Sequence, residues 1–288
     1  MFDTQLSPES DDDVISSKIL KTLEECSRLS LSKLDSKRLT PTRSQSINTV
    51  LSGGIHTQEV TELFGDDFEA SGELLNHLIF ENLEEDPLAE AIIITTNYAQ
   101  NENRLLDVCR EFYKRTKNST RLDHYIANTL NRIHIVPCLS SNDLYHILSM
   151  IYEKKYKGDS IYHLSIVTIH IFSSLFDDSS PSYVKKHSRF LSFALRDLAI
   201  HMNCAIFVSN FQTQLSISNE AVFDPFLETD NAVFSKLSEL WHSIVDTRIH
   251  IQSYSMGNLL MIRAKVVKGA MSGYPETTIS LIKSSPIF

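Results

Sequence analysis

The residues with the clearest chemical pattern run from Ser46 to Phe80, SINTVLSGGIHTQEVTELFGDDFEASGELLNHLIF. A Gly53-Gly54 turn leads into a short apolar run, the run ends at Gly65, and a helical pattern follows. Strand, glycine loop and helix N-terminus together bind phosphate, because loop amides and the helix dipole converge on an anion. A working loop of the form G-x-x-x-x-G-K-[ST] needs a second glycine for close approach. It also needs a lysine on the β- and γ-phosphates and a hydroxyl on magnesium. Counted from Gly65 without gaps, those positions hold Ala70, Ser71 and Gly72; a two-residue shift puts Gly72 on the second glycine and Glu73 on the lysine. Neither reading supplies a cation. Asp66, Asp67 and Glu69 add negative charge where a polyphosphate would sit. The expectation is a vestigial phosphate loop, with no ATP binding in the usual way and no cofactor.

Other chemistry finds less support. Of the eleven histidines, His77 and His201 stand alone. His163 and His170 are seven residues apart, an odd spacing that puts them on opposite faces of one strand. No metal site is expected. No G-x-S-x-G elbow occurs, and Glu84-Glu85-Asp86 reads as a solvated helix end. Cys26, Cys109, Cys138 and Cys204 lie far apart without a C-x-x-C pair, which favours reduced thiols in a cytosolic or nuclear protein over zinc or disulfides. The most basic short segment is Val184-Lys185-Lys186-His187-Ser188-Arg189. Lys185, Lys186 and Arg189 suit phosphate contact without base reading; a basic helix start facing solvent explains them equally well. The stretch 212–240 is acidic and apolar, and suits packing or a partner better than phosphate.

The elements that must carry these residues follow from composition and period. The chain has 288 residues, 42% apolar and 22% charged, which suits one mid-sized domain with an appendage. A net charge of −9 argues against autonomous tight nucleic-acid binding, though a local basic patch or shared DNA contact remains compatible. No apolar run reaches membrane-spanning length, so no membrane partner is expected, and the acidic first residues do not read as a signal peptide. Residues 1–13 read as an acidic tail, and Ile15, Ile19, Leu23, Cys26 and Leu34 predict a helix over 14–34. That helix either covers the main domain or docks a partner. Residues 35–46 read as a linker, giving a division into 1–45 and 46–288. Strands are predicted at 60–64, 91–95, 133–137, 164–170 and 204–209, with helices at 71–83, 103–116, 142–155 and 184–202 between them. That alternation predicts an α/β fold with a mostly parallel sheet flanked by helices. Strand-like segments at 247–252, 259–267 and 277–282 predict hairpin additions at one sheet edge.

With these elements in place, a family likeness emerges. Ser46, Leu51, Gly53, Gly54, Ile55, Val60, Thr61, Glu62, Leu63 and Gly65 resemble the opening of the ATPase core of RecA-type recombinases of the Rad branch, with Gln58 where a glycine is usual. Further along, Asn97 stands at the family's catalytic glutamate, and an amide cannot act as a general base. His170 stands at the magnesium-linked aspartate, and magnesium prefers oxygen ligands. Phe211 replaces the glutamine that senses the γ-phosphate, while Arg104, Leu105, Ser209, Asn210, Trp241 and Asp246-Thr247-Arg248-Ile249 keep the pattern. The chain thus resembles the Rad-fifty-one paralogues, the D-type in particular, and members of Shu-type complexes. The likeness implies a RecA-like core over 46–288 with a short helical N-terminal arm. It also implies a pseudo-ATPase whose vestigial nucleotide site comprises Gly65, Ala70, Ser71, Gly72, Asn97, His170 and Phe211. By the same likeness the protein is nuclear and works in DNA repair by homologous recombination, in a complex with other recombinase paralogues and a Rad-type recombinase. It would meet single-stranded DNA there through Lys185, Lys186 and Arg189, and partners through Ile15, Ile19 and Leu23. The alternative is a divergent RecA-like DNA-dependent ATPase completed by a partner subunit.

Overall fold

A computed structural model of the chain describes residues 37–65, 67–96, 102–116, 121–156, 163–176, 179–211, 239–257, 259–269 and 275–282. The predicted helix over 14–34, with Ile15, Ile19 and Leu23, lies outside the described residues, as does Asn97.

In chain order the elements are β1 (Leu39–Thr40), α1 (Gln45–Val50), β2 (Ile55–His56), β3 (Val60–Gly65), α2 (Phe68–Glu85), β4 (Ala89–Thr95), α3 (Glu102–Thr116) and α4 (Leu122–Leu130). They continue with β5 (Ile133–Pro137), α5 (Ser141–Tyr156), β6 (His163–His170), a 3-10 turn (Phe172–Phe176), α6 (Pro181–Met202) and β7 (Ala205–Phe211). The last are α7 (Glu239–Ile244), β8 (Thr247–Met256), β9 (Leu259–Lys268) and β10 (Glu276–Ile282). Eight strands form one sheet in the order β10-β9-β8-β3-β7-β6-β4-β5. The pairs from β8 through β5 are parallel, and β9 runs antiparallel to both β8 and β10. This is an α/β fold with a mostly parallel sheet flanked by helices, consistent with a RecA-like core.

Strand residues alternate between two cores. Leu63, Ile93, Ala205, Phe207, Ile249 and Ile251 pack against α1 to α4, while Val60, Ile94, Val167, Ile169, Ile206 and Val208 pack against α5, α6 and α7. Covering on both faces explains why β6 is buried from Leu164 to His170 and why β7 opens with the apolar run AIFV. Fully burying each of these Val, Leu, Ile or Phe side chains contributes about 1.5–3 kcal/mol.

Six short elements lie outside the set predicted from sequence: β1, α1, β2, α4, the 3-10 turn and α7. Part of the segment read as a linker is β1, which pairs antiparallel with β2. Gly54 makes that pairing possible: its φ is +148°, and a Cβ there would lie 2.3 Å from the Thr40 carbonyl oxygen. Helix α4, with buried Ile126 and Thr129, fills the connection before β5. Among the described residues no helix is long and apolar enough to cross a membrane.

Candidate functional site

The carboxyl ends of the parallel strands converge on one rim, where open α/β sheets bind ligands. The corner between β3 and α2 contains the segment read from sequence as a vestigial phosphate loop. Gly65 ends β3 between Phe211 of β7 and Ile251 of β8. A Cβ on Gly65 would sit 2.2 Å from the Ile251 carbonyl oxygen, so strand packing alone requires this glycine. Only Asp66 and Asp67 separate the strand from the helix, which starts at Phe68. The connection is therefore too short to wrap around a phosphate. Ala70 and Ser71 are buried in the first turn of α2 instead of lining a loop.

Asp67 is the N-cap. Its Oδ1 accepts from the Ala70 amide at 3.0 Å, and its Oδ2 accepts from the Ser253 hydroxyl on β8. Its carbonyl oxygen accepts from the Ser71 amide at 3.2 Å and from the Ser71 hydroxyl at 2.9 Å. One orphan donor and the positive dipole end of α2 are thus met by the chain's own carboxylate. The Ser71 hydroxyl is turned to the backbone rather than toward a metal. Glu73, on the lysine position of the shifted reading, is buried and accepts from Arg104 Nη2 at 2.7 Å; Arg104 also lies 3.4 Å from Glu69.

Across the rim, β6 ends in a neutral polar cluster. His170 is buried, and burial alone pushes its imidazole down to about 4, so it is uncharged at neutral pH. Gly72 faces it, and a Cβ on Gly72 would lie 3.6 Å from His170 Nδ1. Ile171 follows in the left-handed region at φ +55°, a strained conformation for a β-branched residue. Hydrogen bonds hold it there. Its amide donates to Ser209 Oγ at 2.9 Å, and its carbonyl lies 2.8 Å from both Thr96 Oγ1 and Ser174 Oγ. Thr96 Oγ1 also donates to the His170 carbonyl at 2.6 Å. Thr95, Thr96, His170, Ile171, Ser209 and Asn210 offer hydroxyls, an amide and an imidazole, with no carboxylate to hold magnesium or activate water. Phe211 closes β7 opposite Gly65.

Asn210 links this rim to a buried ion pair. Its Oδ1 accepts from the Ser173 amide at 2.9 Å, and its Nδ2 donates to Glu62 Oε1 at 2.6 Å. Trp241 Nε1 donates to the same Glu62 oxygen at 2.9 Å, and Arg248 Nε to Oε2 at 2.6 Å. The Arg248 guanidinium lies 4.6 Å from the centre of the Phe64 ring, and Trp241 stacks on Phe172 at 4.8 Å. One buried carboxylate thus joins β3, β7, β8 and α7. Lys268 Nζ completes the joint by donating to the carbonyls of His242, Ser243 and Val245 at the end of α7. In the sequence, Glu62, Trp241 and Arg248 read as separate framework matches. The signal that sets Glu62 apart is a lone acid inside the apolar run VTELFG.

The remaining expected residues separate from the rim. Lys185, Lys186 and Arg189 are brought together on the exposed side of α6, while His187 and Ser188 between them are buried. His187 stacks on Tyr183 at 3.8 Å, and the Tyr183 hydroxyl meets Ser141 Oγ at 2.9 Å. His163 is exposed and lies 3.0 Å from Asp86, at the opposite end of β6 from His170. Asp86 and Glu84 therefore do not form a merely solvated helix end: Asp86 binds His163, and Glu84 lies 3.3 Å from Arg43 and accepts from the Tyr113 hydroxyl at 3.0 Å. Cys109, Cys138 and Cys204 are buried and form no disulfide among the described residues, and burial pushes Cys109 and Cys138 up to about 12. Among the described residues no group of three His, Cys, Asp or Glu is placed to hold a metal ion.

No known protein-family model matches the chain, and no curated protein matches its sequence.

Proposed function

We propose that the chain is a non-catalytic recombinase paralogue of RecA-like architecture that assists recombinase filament assembly on single-stranded DNA in homologous-recombination repair. The observation that carries this reading is the corner between β3 and α2. There a two-residue connection and the Asp67 carboxylate take the place of a phosphate cradle. The polyanion of a nucleotide would meet Asp67, Glu69 and Glu73 at this corner, and Arg104 is already paired with Glu73. Repulsion by like charge and the Asp67 carboxylate already seated on the Ala70 amide both oppose nucleotide binding. A core that keeps its sheet while losing this chemistry suits a role in binding rather than turnover. On this reading the partners are other recombinase paralogues and a Rad-type recombinase, the compartment is the nucleus, and the exposed Lys185, Lys186 and Arg189 contribute phosphate contacts within the complex.

The test is calorimetric titration of magnesium-ATP together with anisotropy of labelled oligothymidine, on the protein alone and with its co-purifying partners. The expected result is no ATP binding in either state, and DNA binding in the complex. Saturable magnesium-dependent ATP binding by the chain alone overturns the non-catalytic reading.

A further inference from the structure

We propose that β10 pairs along its outer edge with β10 of a second copy of this chain, antiparallel and centred on Ile279, so that two sheets become one across a two-fold axis. The pairing is independent of the function proposed above and needs neither nucleotide nor DNA.

The first ground is the row of backbone groups that β10 turns outward. Among the described residues β10 is the last strand of the sheet and pairs only with β9. The Val266 amide donates to the Pro275 carbonyl at 2.9 Å, which sets the phase of the ladder. In an antiparallel pair, successive residues turn their amide and carbonyl alternately toward the neighbouring strand and away from it. Thr277, Ile279 and Leu281 therefore bond to β9, while the backbones of Glu276, Thr278, Ser280 and Ile282 point outward. The side chains of Glu276, Thr278 and Ser280 are exposed. The second ground is the lack of protection on this edge. Proteins block edge pairing with short strands, bulges, proline or inward-pointing charge. Strand β10 has seven residues in unbroken register with β9, no proline, and one charge, Glu276, at its start. The other edge strand, β5, has five residues and ends in Pro137.

The third ground is self-complementarity, which selects a second copy over an unrelated strand. Centred on Ile279, the pairing sets Thr278 opposite Ser280 of the second copy, Thr277 opposite Leu281 and Glu276 opposite Ile282. Every outward-facing residue then meets another, and about eight backbone hydrogen bonds close. A slip by one residue would set outward groups against groups already bonded to β9. On the exposed face hydroxyl meets hydroxyl, a favourable cross-strand pair, and no like charges are opposed. On the other face Ile279 and Leu281 share a core with Ile47 and Val50 of α1, which lies against β10. The axis brings Ile279 to Ile279, so that this core continues from one copy into the other.

Sedimentation equilibrium of the full-length chain over a wide concentration range tests the pairing, with the expected result a reversible dimer of twice the chain mass. Three variants test the edge and the register. Thr278→Pro removes an outward amide and leaves the bonds to β9 in place, so it should give a folded monomer, with folding checked by circular dichroism. Thr278→Glu with Ser280→Glu keeps the backbone and opposes like charges twice across the axis, which should weaken the dimer about tenfold at low salt. Thr278→Glu with Ser280→Lys opposes unlike charges in this register alone and should restore it. A chain that stays monomeric at every concentration overturns the proposal. So does a dimer that withstands Thr278→Pro and the paired glutamates, or one that the lysine swap fails to restore.

Discussion

His170 should make this protein acid-sensitive in a measurable way. The imidazole titrates near 6.5 in the unfolded chain and is pushed down to about 4 in the fold, by burial alone. Between those values the unfolded chain takes up a proton that the folded one refuses. The stability contributed by the neutral ring is therefore complete above pH 6.5 and is lost as pH falls toward 4. A shift of that size corresponds to about 3 kcal/mol in total. Roughly 2 kcal/mol of it disappears between pH 7.5 and pH 5. Other groups titrate over the same range, so the comparison is with His170→Gln, which keeps a polar side chain and removes the proton site. Urea denaturation of both proteins at half-unit intervals isolates the difference. The wild-type advantage over the variant should shrink by about 2 kcal/mol across this window, a relative midpoint shift of roughly 0.7 M or more. A difference that stays flat with pH, or grows on acidification, would refute the reasoning, since it would mean the ring is solvated or held charged.

Four further outcomes follow from the same geometry, each read by urea denaturation at neutral pH. Asp67→Ala should cost about 1 kcal/mol through the lost N-cap. Arg248→Met leaves Glu62 charged and buried without its cation, and should cost about 3–5 kcal/mol. The double variant Glu62→Gln with Arg248→Met should recover part of that loss, because the uncompensated charge is gone. Gly54→Ala should cost more than about 2 kcal/mol because the new Cβ meets the Thr40 carbonyl. Gln58 also has positive φ, at +63°, and Gln58→Gly should change stability by less than about 1 kcal/mol as backbone relief offsets greater unfolded-state freedom.

The parallel strands are legible in the sequence because burial on both faces writes them as apolar runs such as AIFV at 205–208. The hairpin additions are legible too: β8, β9 and β10 do sit at one edge of the sheet. The start of α2 reads late, at 71, because the polar Asp67-Phe68-Glu69 opening carries little apolar period; its cap is a side chain acting three residues ahead. Helix α4 is faint in the sequence although Leu122, Ile126 and Leu130 repeat every four residues, since nine residues give few turns over which the period can stand out. Strand β1 has only two residues and therefore no period at all. It exists because Gly54 lets another stretch of backbone approach.

At the corner after Gly65, residue identities alone show that no lysine or arginine follows where a phosphate loop needs its cation. What the rim holds instead depends on residues far apart in the chain. Asp67 reaches Ser253, Thr96 bonds to the His170 carbonyl, and Glu62 meets Arg248 across 186 positions. Hydrogen bonds and ion pairs act over a few ångströms of space and carry no periodic trace in the sequence. A lone glutamate in a strand reads the same whether it faces water or a buried guanidinium. Folding β3 between β7 and β8 is what turns that glutamate into the centre of the molecule's polar joint.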